Sequence, residues 1–226
     1  MYVSLLSTLR AAPVFDEVTS AMMTRGRAKA GTHLYFEGDT VERLFQVKSG
    51  VLRLTRLLED GRRQVIAFGY PGDIVGFPCD GQHHTDCDAL VDTNFVTYSR
   101  SALEDGQSHP ELHHELMQAA LREIAAMQDH FMMLGQKSSL EKVAAFLSTL
   151  TDRVGEFKDG FAQVALPMSR ADIADFLGLT TETVSRTLTQ LRKRGVIDIE
   201  NVHTVVVLHP EELLHLSVGE EFDLAS

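Results

Sequence analysis

Two short helices whose ends are both written in the sequence stand back to back between Ser169 and Gly195, and this pair constrains the fold more than any other stretch. Ser169, with Asp172 three residues on, has the spacing of a capping box, in which each side chain serves the other's backbone N–H. Ile173, Phe176 and Leu177 give that first helix a buried side, and Gly178 stops it. Thr180 can cap the second helix, Glu182 suits its positive end, and Arg192, Lys193 and Arg194 suit its negative end before Gly195. Val184, Leu188 and Leu191 recur at i, i+4 and i+7 and must face a core, which leaves Glu182, Ser185, Arg186 and Thr189 outward. Two β runs follow, Val196–Ile199 and Thr204–Leu208, predicting a wing hairpin. An outward face of this kind suits base edges: arginine forks onto guanine N7 and O6, glutamate accepts from cytosine N4, and serine adapts to either. One such helix alone would read as a solvated face. With a capped partner helix, a short turn and a wing, double-stranded DNA is the expected partner.

At 226 residues the chain suggests two modest domains. Apolar content of 44% and charged content of 23% are ordinary globular values, and no stretch approaches the roughly 18 apolar residues of a membrane helix. Met1 to Phe15 is interrupted by Ser7, Thr8, Arg10 and Pro13, unlike a secretory signal, so a soluble cytoplasmic protein with no membrane partner is expected. A net charge of −11 excludes a protein that coats nucleic acid indiscriminately, because that affinity comes from Lys and Arg on phosphates. Basic and acidic residues balance between Ala165 and Glu200, so DNA binding must be local to that neutral segment.

From Gly31 to about Ser99 short apolar runs alternate with glycine turns at Gly31, Gly38, Gly50, Gly61 and Gly72, the layout of an all-β roll or barrel. Asp60-Gly61 between Val51–Leu58 and Arg63–Phe68 predicts a hairpin with a type I′ turn, Leu52 and Leu54 on one side of the strand and Arg53 and Thr55 on the other. After Pro110 glycine vanishes until Gly135 and good helix formers take over. Met117, Ala120, Ile124, Met127, Phe131 and Leu134 alternate at three and four, which favours the seam of a coiled coil with a partner helix over packing on the chain's own β-roll. A further helix is expected from Leu140 to about Asp152, followed by a polar break at Gly155–Gly160.

The segments GVLRLTRLLEDGRRQVIAFGYPGDIVGF, LEKVAAFL and LPMSRADIADFLGLTTETVSRTLTQLRKRGVI together resemble the CRP/FNR superfamily, nearest to its FixK-like branch, over almost the whole chain. The resemblance implies an α+β protein: a cyclic-nucleotide-binding-like β-roll over 1–108, a dimerisation helix over 109–137, and a winged helix-turn-helix over 138–226. It also implies a homodimeric transcription regulator, of the activating kind, that works with RNA polymerase. The family's E-x-x-S-R pattern falls on Glu182, Ser185 and Arg186, implying a TTGA-N6-TCAA-like palindrome. Thr181 stands where the cyclic-AMP receptor has an arginine that reads a further G·C pair, which implies TTGA in preference to TGTGA. Ser169, Arg170, Thr189 and Lys193 complete the residues expected at DNA, Lys193 as a phosphate contact.

The sensory residues depart from the family. Phe77 stands near the receptor's ribose-binding glutamate and His84-Thr85 opposite its phosphate-binding Arg-Ser, so cyclic AMP is not expected. With only Cys79 and Cys87 in the chain, the cluster-binding cysteines of FNR are missing, and no iron–sulfur cluster is expected. Nor is there a cysteine in Pro167-Met168-Ser169-Arg170, where some FixK-like proteins place an oxidisable one. What remains is Cys79, His83, His84 and Cys87, with Cys87 expected to point into the roll. These four residues suit zinc or haem in a gas or redox sensor, or form an ordinary surface loop, the reading the spacing favours. A cupin-like metal enzyme lacks support, because Gly31–Ser99 has no H-x-H with a following Glu and a distant His. The roll therefore either senses an unidentified ligand or is permanently active.

Overall fold

A computed structural model describes residues 23–219, which divide into two compact units, 23–128 and 129–219. The division passes through the long helix instead of at either of its ends.

The first unit is the β-roll. Strands β1 (Met23–Ala28), β3 (Arg43–Ser49), β6 (Ile74–Val75) and β8 (Thr93–Ser99) form one sheet in the order β1-β8-β3-β6. Strands β2 (His33–Tyr35), β4 (Leu52–Leu57), β5 (Arg63–Gly69) and β7 (Asp86–Ala89) form the other, in the order β2-β7-β4-β5. Inside the roll Tyr35, Val47, Leu52, Leu54, Val75, Cys87 and Ala89 close one core. On the opposite face of β3 and β8, Leu44, Val96 and Tyr98 are covered by α1 (Arg100–Glu104) and by Leu112, Leu116 and Ala119 of α2 (Pro110–Gln136). Leu52 and Leu54 are buried as the alternation requires, and Thr55 is buried too, at the point where the register with β5 shifts.

The Asp60-Gly61 turn is not type I′. Gly61 has φ +82° while Asp60 does not enter the left-handed region. Asp60 instead holds the backbone N–H of Arg62 with one carboxylate oxygen (3.0 Å) and its guanidinium with the other (2.7 Å), an Asx turn that keeps φ negative. Two other Asp-Gly pairs do take positive φ at both residues: Asp80-Gly81 (52°, 81°) and Asp159-Gly160 (52°, 86°).

The second unit contains the last turns of α2, then α3 (Ser139–Val154), β9 (Glu156–Lys158), β10 (Phe161–Ala165), α4 (Arg170–Leu177), α5 (Thr181–Lys193), β11 (Ile197–Asn201), β12 (Thr204–Val207) and α6 (Pro210–Ser217). The polar break at Gly155–Gly160 is therefore not a plain loop: it forms β9 and the turn of the β9–β10 hairpin. The wing is correspondingly larger than a two-stranded hairpin, because β11 and β12 belong to a four-stranded sheet in the order β11-β12-β10-β9. α3 packs on α5, α6 and β10, and Leu147, Leu166, Ile173, Leu177, Leu191 and Leu213 lie fully buried in this core. Each such leucine contributes about 1.5–3 kcal/mol through the apolar surface it removes from water.

Candidate nucleic-acid interface

The helix-turn-helix is built as its caps dictate. Ser169 Oγ accepts from the Asp172 backbone N–H (3.1 Å), and the Asp172 carboxylate accepts from the Ser169 N–H (3.0 Å) and hydroxyl (2.6 Å). Gly178 ends α4 in the left-handed region at φ +61°, where a β-carbon would also meet Leu134 Cδ2 at 3.3 Å. Thr180 Oγ1 accepts from the Thr183 N–H at 3.1 Å and starts α5, and Gly195, at φ +75°, follows its end. Val184, Leu188 and Leu191 are buried as predicted, and Thr187 joins them.

The outward face of α5 then carries Thr181, Glu182, Ser185 and Arg186, all exposed, with Thr189 half-buried. Glu182 and Arg186 meet only loosely, Oε1 to Nη1 at 3.8 Å, with side chains 79% and 80% exposed. An exposed pair of this kind contributes little, so neither group is held back from another partner. Ser185 Oγ donates to the Thr181 carbonyl (2.9 Å) and Thr189 Oγ1 to the Ser185 carbonyl (2.9 Å), which uses each hydroxyl proton and leaves its oxygen able to accept.

The remaining residues divide. Lys193 is exposed in the last turn of α5, beside exposed Arg192 and Arg194. Ser169 uses its hydroxyl in the cap of α4, and the Arg170 guanidinium is half-buried, its Nη1 without a hydrogen-bond partner and its pKa lowered by burial. Sequence reasoning passed over Gln190, exposed on the same helix, and Val202, exposed at the wing tip between β11 and β12. Neither carries a periodicity or motif signal.

On α2, Met117, Ile124, Met127 and Phe131 are exposed, as an unpaired seam requires. Ala120 and Leu134 are half-buried instead, and Leu134 lies against Gly178. Leu121 and Met132, which the three-four pattern skipped, join the exposed stripe.

The structure does not bring Cys79, His83, His84 and Cys87 together as a ligand set. Cys79 sits exposed at one end of the Asp80-Gly81 turn, where its backbone pairs with Gln82 in both directions (3.0 Å each). His84 is exposed. Cys87 is fully buried, and burial pushes its thiol up to about 12. The His83 ring stacks on Tyr35 at 3.6 Å, both rings lie against Gly76, and burial pushes the imidazole pKa down. Among the described residues no group of three His, Cys, Asp or Glu side chains is placed to hold a metal ion. Phe77 is half-buried and packs on the Leu44–Tyr98 core.

A β-roll joined by a long helix to a winged helix-turn-helix with an open polar reading face defines a class: a DNA-binding regulator with an N-terminal sensory-type domain. Residues 25–106 match the cyclic nucleotide-binding domain family, and residues 141–216 match the Crp-like helix-turn-helix domain family. The chain is 39% identical over 188 residues to the nitrogen fixation regulation protein FixK of Rhizobium meliloti, covering 83% of this chain and 84% of that one. It is 40% identical over 171 residues to the protein of the same name from Bradyrhizobium diazoefficiens, covering 75% and 72%. Its fold matches the solved structure of FixK2 from Bradyrhizobium japonicum with a TM-score of 0.78 and 34% identity, over 89% of this chain and 98% of that one. The chain belongs to the CRP/FNR family of transcription regulators and is FixK-like.

Proposed function

We propose that this regulator binds as a homodimer to a palindrome of TTGA-N6-TCAA type and activates transcription through RNA polymerase. The observation that carries the reading is the outward face of α5: Glu182, Ser185 and Arg186 exposed one turn apart on a helix whose opposite side is locked into the core. Arg186 forks onto guanine, Glu182 accepts from a cytosine amine, and Lys193 holds a phosphate. The exposed α2 stripe supplies the partner contact, so that two α5 helices face two half-sites one helical turn apart. The protein acts in the cytoplasm and performs no catalysis of its own. Among the described residues no helix is long and apolar enough to cross a membrane.

The residues of the roll do not fit cyclic AMP. Phe77 is committed to an apolar core, His84 offers no arginine fork, and Tyr35 and His83 stack on one another inside the roll. No haem, metal or iron–sulfur cluster enters this reading, and nothing in the placement of Cys79 and Cys87 favours the sensor alternative. A binding-site selection from random duplexes tests the proposal. Enrichment of TTGA half-sites in two-fold arrangement is expected, and recovery of single, unpaired half-sites or of TGTGA would overturn it.

A further inference from the structure

The end of α2 carries a second face that the seam leaves free. His130 and Leu134, with Lys137 just past the last helical residue, recur at i, i+4 and i+7, and each meets a different part of the unit 129–219. The His130 ring lies nearly flat on Phe176 of α4, with centroids 4.1 Å apart and planes 20° apart, and Phe146 of α3 meets Phe176 at 5.9 Å. Leu134 lies against Gly178. Lys137 Nζ donates to the Ser217 carbonyl at the end of α6 (2.7 Å). Phe131, the residue after His130, is 75% exposed. One turn of helix therefore offers Phe131 outward and His130 to the reading domain. Phe176 lies in the last turn of α4 and Gly178 stops it, two residues before Thr180, the cap of α5.

We infer that His130 is a positioning residue for DNA binding: its ring, laid on Phe176, fixes the helix-turn-helix to the turn of α2 that carries Phe131, and protonating that ring loosens the arrangement. This rests on the dimeric reading above. The ring's surroundings favour its neutral form. Burial lowers its pKa, a hydrogen bond to the Phe176 backbone opposes this, and the ammonium of Lys142 from α3 adds to the lowering. From α2 itself the residues three and four away are Ala126, Met127, Met133 and Leu134, none of them charged. A free ring takes up its proton near pH 6.5 and the docked ring only further down, so docking is complete above about pH 6.5 and weakens as the pH falls below it.

The test compares the full-length protein with His130→Phe and His130→Gln, measuring affinity for the selected duplex at about pH 8 and about pH 5.5 at fixed ionic strength. The wild type should lose about three- to tenfold more affinity across that interval than either uncharged variant, since one pKa unit of difference corresponds to tenfold. His130→Lys, charged at both pH values, should show reduced affinity already at pH 8. Parallel pH curves for wild type and His130→Phe would overturn the inference. A DNA-free readout stands beside it: the ring proton resonance of His130, assigned by its loss in His130→Phe, should titrate below about pH 6.5, and titration at or above that value would equally sink the idea. If the wild type fails to bind the palindrome at pH 8, the proposed DNA site fails while this titration still decides the role of His130.

Discussion

Arg186 and Lys193 stand on the same helix and differ in what they can read. Arg186 projects from the exposed face one turn after Glu182, whereas Lys193 lies in the last turn beside Arg192 and Arg194. Arg186→Ala is expected to cost about 1–3 kcal/mol on the matched duplex and to relax preference at the guanine position. Lys193→Ala should weaken all sequences alike and flatten the salt dependence. Retained sequence preference in Arg186→Ala, with only overall affinity lost, would show that this face does not read bases. A second residue-scale prediction concerns Glu123 of α2. Burial raises its carboxyl to about 7, with the Asp73 carboxylate adding to the effect. The unfolded chain releases that proton near pH 4.5 and the folded protein holds it to about 7, so stability falls as pH rises through this window and levels off above it. Glu123→Gln should raise the melting temperature at pH 8 and leave it unchanged near pH 4.5, and an equal shift at both would refute the assignment. Glu182, Ser185 and Arg186 were legible because the capping residues fix where α5 begins and hence which side faces out. Glu123 and His130 were not, since a lone ionisable residue on a helix gives no sign of what packs against it.

At the scale of elements, α2 shows how periodicity informs and misleads. It carries three stripes: Leu112, Leu116 and Ala119 on the roll, the exposed run from Met117 to Phe131, and His130 and Leu134 on the reading domain, continued by Lys137 just past the helix end. All three obey three-four spacing, so the sequence pattern alone assigns Leu134, a member of the third, to the second. Ile124→Glu or Phe131→Glu places a charge in the exposed stripe without touching either core, and should give folded monomers that lose the palindrome. Sedimentation checks this, and a wild type that is monomeric at micromolar concentration while bound to DNA would contradict it. The Asp-Gly pairs teach a similar lesson. The pair between two clear β runs made the strongest hairpin signal, yet Asp60 bonds Arg62 and keeps negative φ, while Asp80 and Asp159, in stretches that looked like loops, take the left-handed form. The dipeptide permits a type I′ turn, and the neighbouring side chains decide whether it forms. The helix-turn-helix was legible to the residue because its signals are local; the four-stranded sheet behind the wing was not, because β9 is only three residues, a lone Phe157 between two charged ones, paired across a turn.

For the molecule as a whole, a net charge of −11, with basic and acidic residues balanced between Ala165 and Glu200, fits the proposed reading, in which recognition is concentrated in one neutral segment and the roll takes no cyclic nucleotide. Adding cyclic AMP in large excess should therefore change neither melting temperature nor DNA affinity. A ligand specific to the folded state at a hundred times its dissociation constant would add about 2.7 kcal/mol, a shift no melting curve would miss. The contrast between the two cysteines has a practical consequence. A thiolate attacks a maleimide or disulfide reagent, and the two cysteines differ in access to it: Cys79 is exposed at the surface, whereas Cys87 is buried inside the roll with its thiol pushed up to about 12. Thiol counting on the native protein should give one equivalent per chain and two after unfolding in denaturant; two in the native state would mean the roll opens. The wild-type chain thus comes with a single natural attachment point, so a fluorophore on the Asp80-Gly81 turn can report on the sensory domain while duplex is titrated in, with no cysteine engineered or removed.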